Sequence, residues 1–283
     1  MPRRTILRRS RTPVLVLAML ALAPVIADAI LVSPHALFVT HEQRTGEIYL
    51  VNQGDEAEEV TVEFEYGYPV TDSAGQITMR LIPDPPADAP SAAGWLRAFP
   101  RQARVEPGQR QRVRIRANPP ADLPDGEYWS RVIVTSRRAE QPVQMAGDTA
   151  VRVGITLQLR TITSLTYRKG EVSTGIQLDD FHVESVTADS IAAWVGLTRS
   201  GNGAFLGTVL LELHDAEGNV VRSWPTPVAV YYTVLRRFAL DTEGLAPGRY
   251  ILRLLVSTDR QDIDQRYVLP AGPIERTVEV EIG

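Results

Sequence analysis

The segment from Thr149 to Leu159 constrains the fold more than any other stretch, because its apolar residues alternate strictly with polar or small ones. Successive residues of a strand point to opposite faces, so the apolar residues of this segment would line one face of an extended strand. The alternation therefore predicts a half-buried β-strand rather than a helix. The apolar residues are Val151, Val153, Ile155, Leu157 and Leu159.

Two alternatives exist for what covers this apolar face. In the first alternative the protein's own core covers it, and the segment is an ordinary sandwich strand. In the second a separate partner covers it, and the segment is a binding strand. Burying each such side chain contributes roughly 1.5–3 kcal/mol, and monomeric soluble proteins rarely leave a large apolar patch in water without a use.

The rest of the chain after residue 29 consists of short alternating runs that are broken by Gly, Pro, Asn and Asp. Val60 to Tyr66 is one such run, and Val209 to His214 and Val220 to Trp224 form a predicted hairpin. Many short strands at this spacing predict an all-β fold of two antiparallel β-sandwich domains in tandem. We expect the domains to span residues 30–162 and 163–283. The residues assigned to the sandwich cores include Trp95, Trp129, Trp194 and Trp224.

The first 29 residues have the pattern of an export signal. An arginine-rich start precedes an apolar run from Val14 to Ile26, which is too short to span a bilayer comfortably. Ala27-Asp28-Ala29 has the small-x-small pattern of a cleavage site. We therefore expect cleavage before Ile30 and a periplasmic protein, with an uncleaved membrane anchor as the alternative.

Composition disfavours several function classes. The chain has 30 basic and 34 acidic residues, and residues 30–283 retain 25 and 33 of them, which argues against a nucleic-acid partner. The absence of cysteine excludes disulfides and thiolate metal sites. The four histidines lack metal-ligand spacing, and no nucleophile elbow, phosphate loop or dinucleotide fingerprint occurs. We expect no enzyme activity, catalytic residue, metal or cofactor.

A series of motifs between residues 33 and 128 resembles a known family, the periplasmic pilus-assembly chaperones of the PapD type. The motifs are Ser33-Pro34, Leu50-Val51-Asn52-Gln53-Gly54, Phe99-Pro100-Arg101, Val105-Glu106-Pro107-Gly108-Gln109 with Gln111-Arg112-Val113-Arg114-Ile115, and Leu123-Pro124-Asp125-Gly126-Glu127-Tyr128. Their order and spacing match the family over most of residues 30–160, and the second half matches more weakly. The chain resembles a divergent member.

The resemblance implies two immunoglobulin-like domains and a binding mechanism. Chaperones of this family lend the last strand of the first domain to an incomplete pilus subunit, which they bind by adding a β-strand to it. Thr149 to Leu159 occupies the position of that strand. The implied partners are pilin-like subunits and an outer-membrane usher, and the strand also allows self-association. The alternative is a structural or adhesive envelope protein in which this strand is paired internally.

The resemblance also implies a cleft between the domains, where the family grips the subunit's terminal carboxylate with two basic residues. In this sequence the matching positions are His35 and Ser164, and neither is a permanent cation. Arg160, Arg168 and Lys169 are the candidate substitutes.

Overall fold

The computed structural model describes residues 30–139, 157–187 and 189–283. The predicted signal segment 1–29 and the predicted strand residues Val151, Val153 and Ile155 lie outside the described residues. Within the described ranges the chain is built from strands and two short 3₁₀ helices, Ala93–Trp95 and Gln265–Tyr267. None of the helices in these ranges is long and apolar enough to span a membrane. The predicted all-β class is therefore confirmed.

The first sandwich consists of two sheets. One has the strand order β1-β3-β8-β6, and the other has the order β2-β10-β9-β4-β5, with β7 also paired to β4. The strands are β1 (Ile30–Ser33), β2 (Ala36–Thr40), β3 (Thr45–Asn52), β4 (Glu58–Thr71), β5 (Ile77–Ile82), β6 (Leu96–Phe99), β7 (Gln102–Val105), β8 (Arg110–Ala117), β9 (Gly126–Arg138) and β10 (Gln158–Lys169). All pairs are antiparallel except β2 with β10, which is parallel.

The strand β10 belongs entirely to the first sandwich. It pairs with β9 from Gln158 to Lys169, and its residues Leu165 and Tyr167 are buried in the first core. The domain boundary expected at residue 162 therefore falls inside this strand, and the chain leaves the first sandwich at Gly170. The run from Thr161 to Thr166 continues the strand because β-branched threonines suit the pleated surface of a sheet.

The second sandwich has a three-stranded sheet, β11-β12-β15, packed on a four-stranded sheet, β14-β13-β16-β17. Pro225 and Pro227 lie in β14, an edge strand, where a missing N–H disrupts no ladder on the open side. The strands are β11 (Thr174–Val186), β12 (Ser190–Gly201), β13 (Phe205–His214), β14 (Val220–Val230), β15 (Thr233–Asp241), β16 (Gly248–Ser257) and β17 (Ile274–Ile282).

A third apolar cluster lies between the two sandwiches, in addition to one core inside each. Trp129 of the first sandwich contacts Tyr231 of the second edge-to-face, with ring centroids 4.7 Å apart. Trp129 was expected in a sandwich core and instead belongs to this interdomain cluster. Its other buried members are Tyr66, Ala204, Leu206 and Ile263.

The hairpin of β4 and β5 extends from the first sandwich onto the second. At its tip, the Leu235 N–H donates to Thr71 Oγ1 and the Arg237 N–H donates to the Gly75 carbonyl, both at 3.0 Å. Leu235 and Arg237 belong to β15, which lies at the edge of its sheet. The hairpin therefore covers part of this edge and fixes the two sandwiches together.

Candidate functional site

The strand β10 has an edge that is only partly covered. On one side it pairs with β9 over its whole length, whereas on the other side β2 pairs with it only from Ser164 to Arg168. No strand of the described residues pairs with this second side between Gln158 and Thr163. An uncovered edge of this kind offers main-chain donors and acceptors to another strand.

The alternation of even- and odd-numbered residues along β10 identifies the main-chain groups at this open edge. The Ser164 N–H donates to the His35 carbonyl at 3.1 Å, and the Arg168 carbonyl accepts from the His41 N–H at 2.9 Å. Even-numbered residues of β10 therefore direct their main-chain groups toward β2. Since main-chain directions alternate along a strand, Gln158, Arg160 and Ile162 present N–H and C=O groups at the open edge.

The two described residues of the predicted binding strand differ in environment. Leu157 precedes β10, and 61% of its surface is exposed. Leu159 lies within β10 opposite Ser136 and is half-buried. Its position shares the parity of Leu165 and Tyr167, which face the first core. Leu157 is therefore an exposed apolar side chain directly before the open edge, while Leu159 packs at the margin of the sandwich.

The two positions that match the family's basic pair lie side by side. Besides the main-chain bond between them, Ser164 Oγ donates to the His35 carbonyl at 3.3 Å. His35 also lines a groove of about 410 Å³ between the sandwiches. The predicted cleft positions are thus brought together where β2 begins beside β10, and neither supplies a permanent cation.

The opposite wall of this groove carries carboxylates. Asp262 and Asp264 belong to the second sandwich and line the groove with Tyr267. Hydrogen bonds from Arg260 hold the pKa of Asp262 below its usual value, and Arg266 does the same for Asp264. Both carboxylates are therefore charged and paired near neutral pH, so this wall does not favour a further carboxylate.

The candidate substitute Arg160 is engaged elsewhere. Its Nη2 donates to Glu65 Oε1 over 2.6 Å across the outer face of the sheet, and its side chain is about half exposed. Because an exposed pair is weak, Arg160 can exchange partners, but it points to the outer face of β10 and away from the sandwich interior.

The candidates Arg168 and Lys169 are both paired with residues of the first sandwich. Arg168 Nε donates to Glu127 Oε2 at 2.8 Å, and the Glu127 side chain is fully buried. Lys169 Nζ donates to the Leu123 carbonyl and lies 3.5 Å from Asp125 Oδ1. Neither residue is a free cation, and the carboxylate that pairs with Arg168 also accepts from the Ala204 N–H of the second sandwich at 3.0 Å.

The edge groups of Ile162 and the buried carboxylate of Glu127 were not identified as site residues from the sequence. Glu127 lies within one of the family-like motifs, which was the only available signal. Among the described residues, no three His, Asp or Glu side chains form a potential metal site.

Comparison with solved structures gives several chaperones of similar fold. The YadV chaperone is 14% identical, with a TM-score of 0.44 over 89% of this chain and 99% of that one. The CsuC–CsuE chaperone–tip adhesion subunit pre-assembly complex of the archaic Csu pili of Acinetobacter baumannii is 12% identical, with a TM-score of 0.44 over 90% of this chain and 98% of that one. The Pseudomonas aeruginosa CupB2 chaperone is 13% identical, with a TM-score of 0.42 over 89% of this chain and 100% of that one. No protein-family model and no curated protein matches the sequence.

Proposed function

We propose that this protein is a periplasmic chaperone for the subunits of a surface fibre and that it binds a subunit along β10. The observation that supports this proposal is the open edge from Gln158 to Thr163, directly preceded by the exposed Leu157. The motifs that resemble pilus chaperones give the proposal its client class.

Binding at this edge would proceed by strand addition. A strand of the subunit would pair with the N–H and C=O groups of Gln158, Arg160 and Ile162, which supply affinity without regard to sequence. Leu157 would fill an apolar site in the subunit. Val153 and Ile155 continue the same alternation upstream and would occupy further sites.

The anchoring of the subunit would differ from the pattern of the family. Because His35 and Ser164 replace the two expected cations and Arg168 is paired with Glu127, no preformed carboxylate clamp occurs among the described residues of the groove. Affinity would then depend on strand pairing and apolar contacts. Transfer of the subunit to an outer-membrane usher would complete this function.

The experiment compares two single substitutions in the cell that produces the protein. Leu157→Asp introduces a carboxylate beside the open edge, where the subunit's apolar groove would have to desolvate it. The matched control, Ile251→Asp, changes an exposed apolar residue of the second sandwich, 42% exposed against 61% for Leu157. We expect the wild type and Ile251→Asp to purify in a one-to-one complex with a fibre subunit identified by mass spectrometry, and Leu157→Asp to purify alone.

Melting temperatures of the purified variants complete the experiment. All three proteins should melt within a few degrees of one another, because both positions are exposed in the free protein. Loss of the subunit from both variants, or recovery of no fibre subunit with the wild type, would contradict the proposal. Recovery of the chain itself as a component of an envelope fibre would favour the structural or adhesive alternative.

A further inference from the structure

The outer face of the sheet β1-β3-β8-β6 is unusually basic. Its outward side chains include five arginines and a single acidic residue, Glu47. The strand β8 alternates arginines on the outside with Val113, Ile115 and Ala117 in the core. We call this surface the arginine face. Its arginines are Arg97, Arg110, Arg112, Arg114 and Arg116.

The arginines of this face are poorly neutralised. Glu47 Oε1 lies 3.7 Å from Arg112 Nη1 and 3.8 Å from Arg114 Nε, so one carboxylate is shared by two guanidinium groups at long distance. Arg110 lies over the ring of Tyr49, 3.7 Å from its centroid. Arg116 has no carboxylate partner among the described residues. The face therefore carries a net positive charge on a chain whose formal net charge is −4.

The other outer face of the same sandwich shows a different arrangement. There three arginines are each matched with one glutamate of β4. The pairs are Arg137 with Glu59, Arg160 with Glu65 and Arg101 with Glu63, at distances between 2.6 and 2.8 Å. Arginine without a matching carboxylate is thus a property of the arginine face and not of the other outer face of the same sandwich.

Apolar side chains lie at both margins of the arginine face. Leu31 is 44% exposed on β1, one edge strand, and Phe99 is 57% exposed on β6, the other. Phe99 also borders a depression of about 470 Å³ together with Arg44, Arg114 and Arg116. Amphipathic helices that lie on lipid headgroups combine basic residues with exposed Phe and Leu in a similar way.

We propose that the arginine face binds an anionic phospholipid surface. Guanidinium groups match phosphate oxygens in pairs of hydrogen bonds, and laterally mobile headgroups can follow any arrangement of cations on a broad sheet face. Phe99 and Leu31 enter the interface between headgroups and acyl chains. The chain's overall negative charge opposes this contact weakly, because repulsion is screened beyond about 8 Å at physiological salt.

This surface is separate from the open edge of β10. The arginine face lies on one sheet of the first sandwich, and β10 belongs to the other. The same molecule can therefore contact a membrane and a strand partner together, and the lipid-binding inference does not depend on the proposed chaperone function.

Vesicle sedimentation tests the inference with the protein as purified from the cell that makes it. The probes are vesicles of equal parts phosphatidylglycerol and phosphatidylcholine, compared with phosphatidylcholine alone. We expect binding only to the anionic vesicles, and weaker binding when the salt rises from about 0.1 M to about 1 M, where the Debye length falls from about 10 Å to about 3 Å. Replacing Arg112, Arg114 and Arg116 by Gln together should weaken binding about a hundredfold, since each arginine contributes about fivefold.

The matched control removes the same charge from the second sandwich. Arg222, Arg249 and Arg276 are exposed there, and their joint replacement by Gln should leave vesicle binding unchanged. Equal losses in the two triple variants would overturn the inference, because binding would then follow total charge. Absence of binding to the anionic vesicles would overturn it as well. If the first triple variant melts below the wild type, Arg116→Gln alone should still weaken binding about fivefold.

Polyglutamate serves as a second probe in the same experiment. It presents carboxylates on a polypeptide and stands for an acidic protein partner. We expect it to compete poorly with the anionic vesicles. If polyglutamate binds more tightly than the vesicles and depends on the same three arginines, the arginine face binds an acidic protein and the lipid assignment is wrong.

Discussion

Arg168 donates from Nε to Oε2 of Glu127 over 2.8 Å, and no part of the Glu127 side chain is exposed. The other carboxylate oxygen accepts from Trp129 Nε1 at 2.7 Å and from the Ala204 N–H at 3.0 Å. Ala204 belongs to the second sandwich, whereas the other three residues belong to the first. One buried carboxylate therefore joins β9, β10 and the neighbouring domain.

Removing the arginine from this pair should destabilise the protein strongly. Arg168→Ala leaves the Glu127 carboxylate buried without its charged partner, and breaking a buried pair in this way costs about 3–5 kcal/mol. Arg160→Ala is the control, because its exposed pair with Glu65 is worth less than about 1 kcal/mol. The free energies of unfolding in urea provide the measurement. Equal losses in the two variants would show that the Glu127 site is solvated.

Hydrogen exchange should reveal the open edge of β10 without any client. The N–H groups of Arg160 and Ile162 point away from β9, so we expect them to exchange rapidly in the free protein. The N–H groups of Thr161 and Thr163 point toward β9 and should exchange only on larger opening of the sheet. Residue-resolved NMR exchange rates check this alternation. Slow exchange at Arg160 and Ile162 would mean that the edge is already covered.

Proline substitutions test the same alternation through stability. Arg160→Pro removes an N–H that faces the open edge, and proline is tolerated on the open side of an edge strand. Thr161→Pro removes an N–H that is paired with β9 and should lower the melting temperature much further than Arg160→Pro does. Arg160→Ala is the control for Arg160→Pro, because it also removes the ion pair with Glu65 but keeps the N–H. If the two proline variants melt together, the assigned directions of these groups are incorrect.

The sequence was sufficient to predict strands wherever apolar and polar residues alternate clearly with a period of two. The alternating run from Val60 to Tyr66 lies in β4, and its Val60 and Val62 are buried in the first core. The same pattern failed at β10, where Thr161, Thr163 and Thr166 supply few apolar side chains although the strand continues to Lys169. The boundary at residue 162 was placed directly after the alternating segment, and β10 runs past it to Lys169.

The contacts between the domains were not accessible from the sequence. Trp129 is a large apolar residue, and its type does not tell whether its own sandwich or the neighbouring one buries it. The β4–β5 hairpin likewise depends on Thr71 and Gly75, whose types indicate a turn but not its contact with β15. The positions His35 and Ser164 were found only through the family motifs.

A tyrosine pair between the sandwiches should make the stability depend on alkaline pH. Tyr66 Oη lies 2.7 Å from Tyr232 Oη, and burial, followed by this hydrogen bond, raises the pKa of Tyr66. The folded state holds the Tyr66 proton more tightly than the unfolded chain does. The stability that protonated Tyr66 contributes is therefore complete below about pH 10, the ordinary tyrosine pKa, and is lost as the pH rises above it.

The substitution Tyr66→Phe tests this dependence. At neutral pH it should lower the free energy of unfolding by about 1 kcal/mol, the typical net value of one hydrogen bond. Above about pH 10 the wild type should lose stability more steeply than the variant, because the variant has no hydroxyl to ionise. Urea unfolding between neutral and alkaline pH gives both curves. Parallel curves through this range would rule out a role for Tyr66.

The tip of the β4–β5 hairpin should control how firmly the sandwiches are joined. Gly75 has φ of +72°, and a Cβ at this position would lie 2.6 Å from the Arg237 nitrogen and from a ring carbon of Trp194. Gly75→Ala should therefore push the hairpin off β15, breaking the bond from the Arg237 N–H to the Gly75 carbonyl. We expect a lower melting temperature and a larger radius of gyration by small-angle X-ray scattering.

Gly244 provides the matched control for the backbone conformation of Gly75. Its φ is +79°, and a Cβ there would meet no atom within 4 Å. Gly244→Ala should thus cost only the left-handed backbone term of about 1–2 kcal/mol and leave the radius of gyration unchanged. Gly75→Ala should cost more, because it adds a steric conflict between the domains to the same term. Equal melting temperatures and equal radii in the two variants would show that the hairpin tip does not hold the second sandwich.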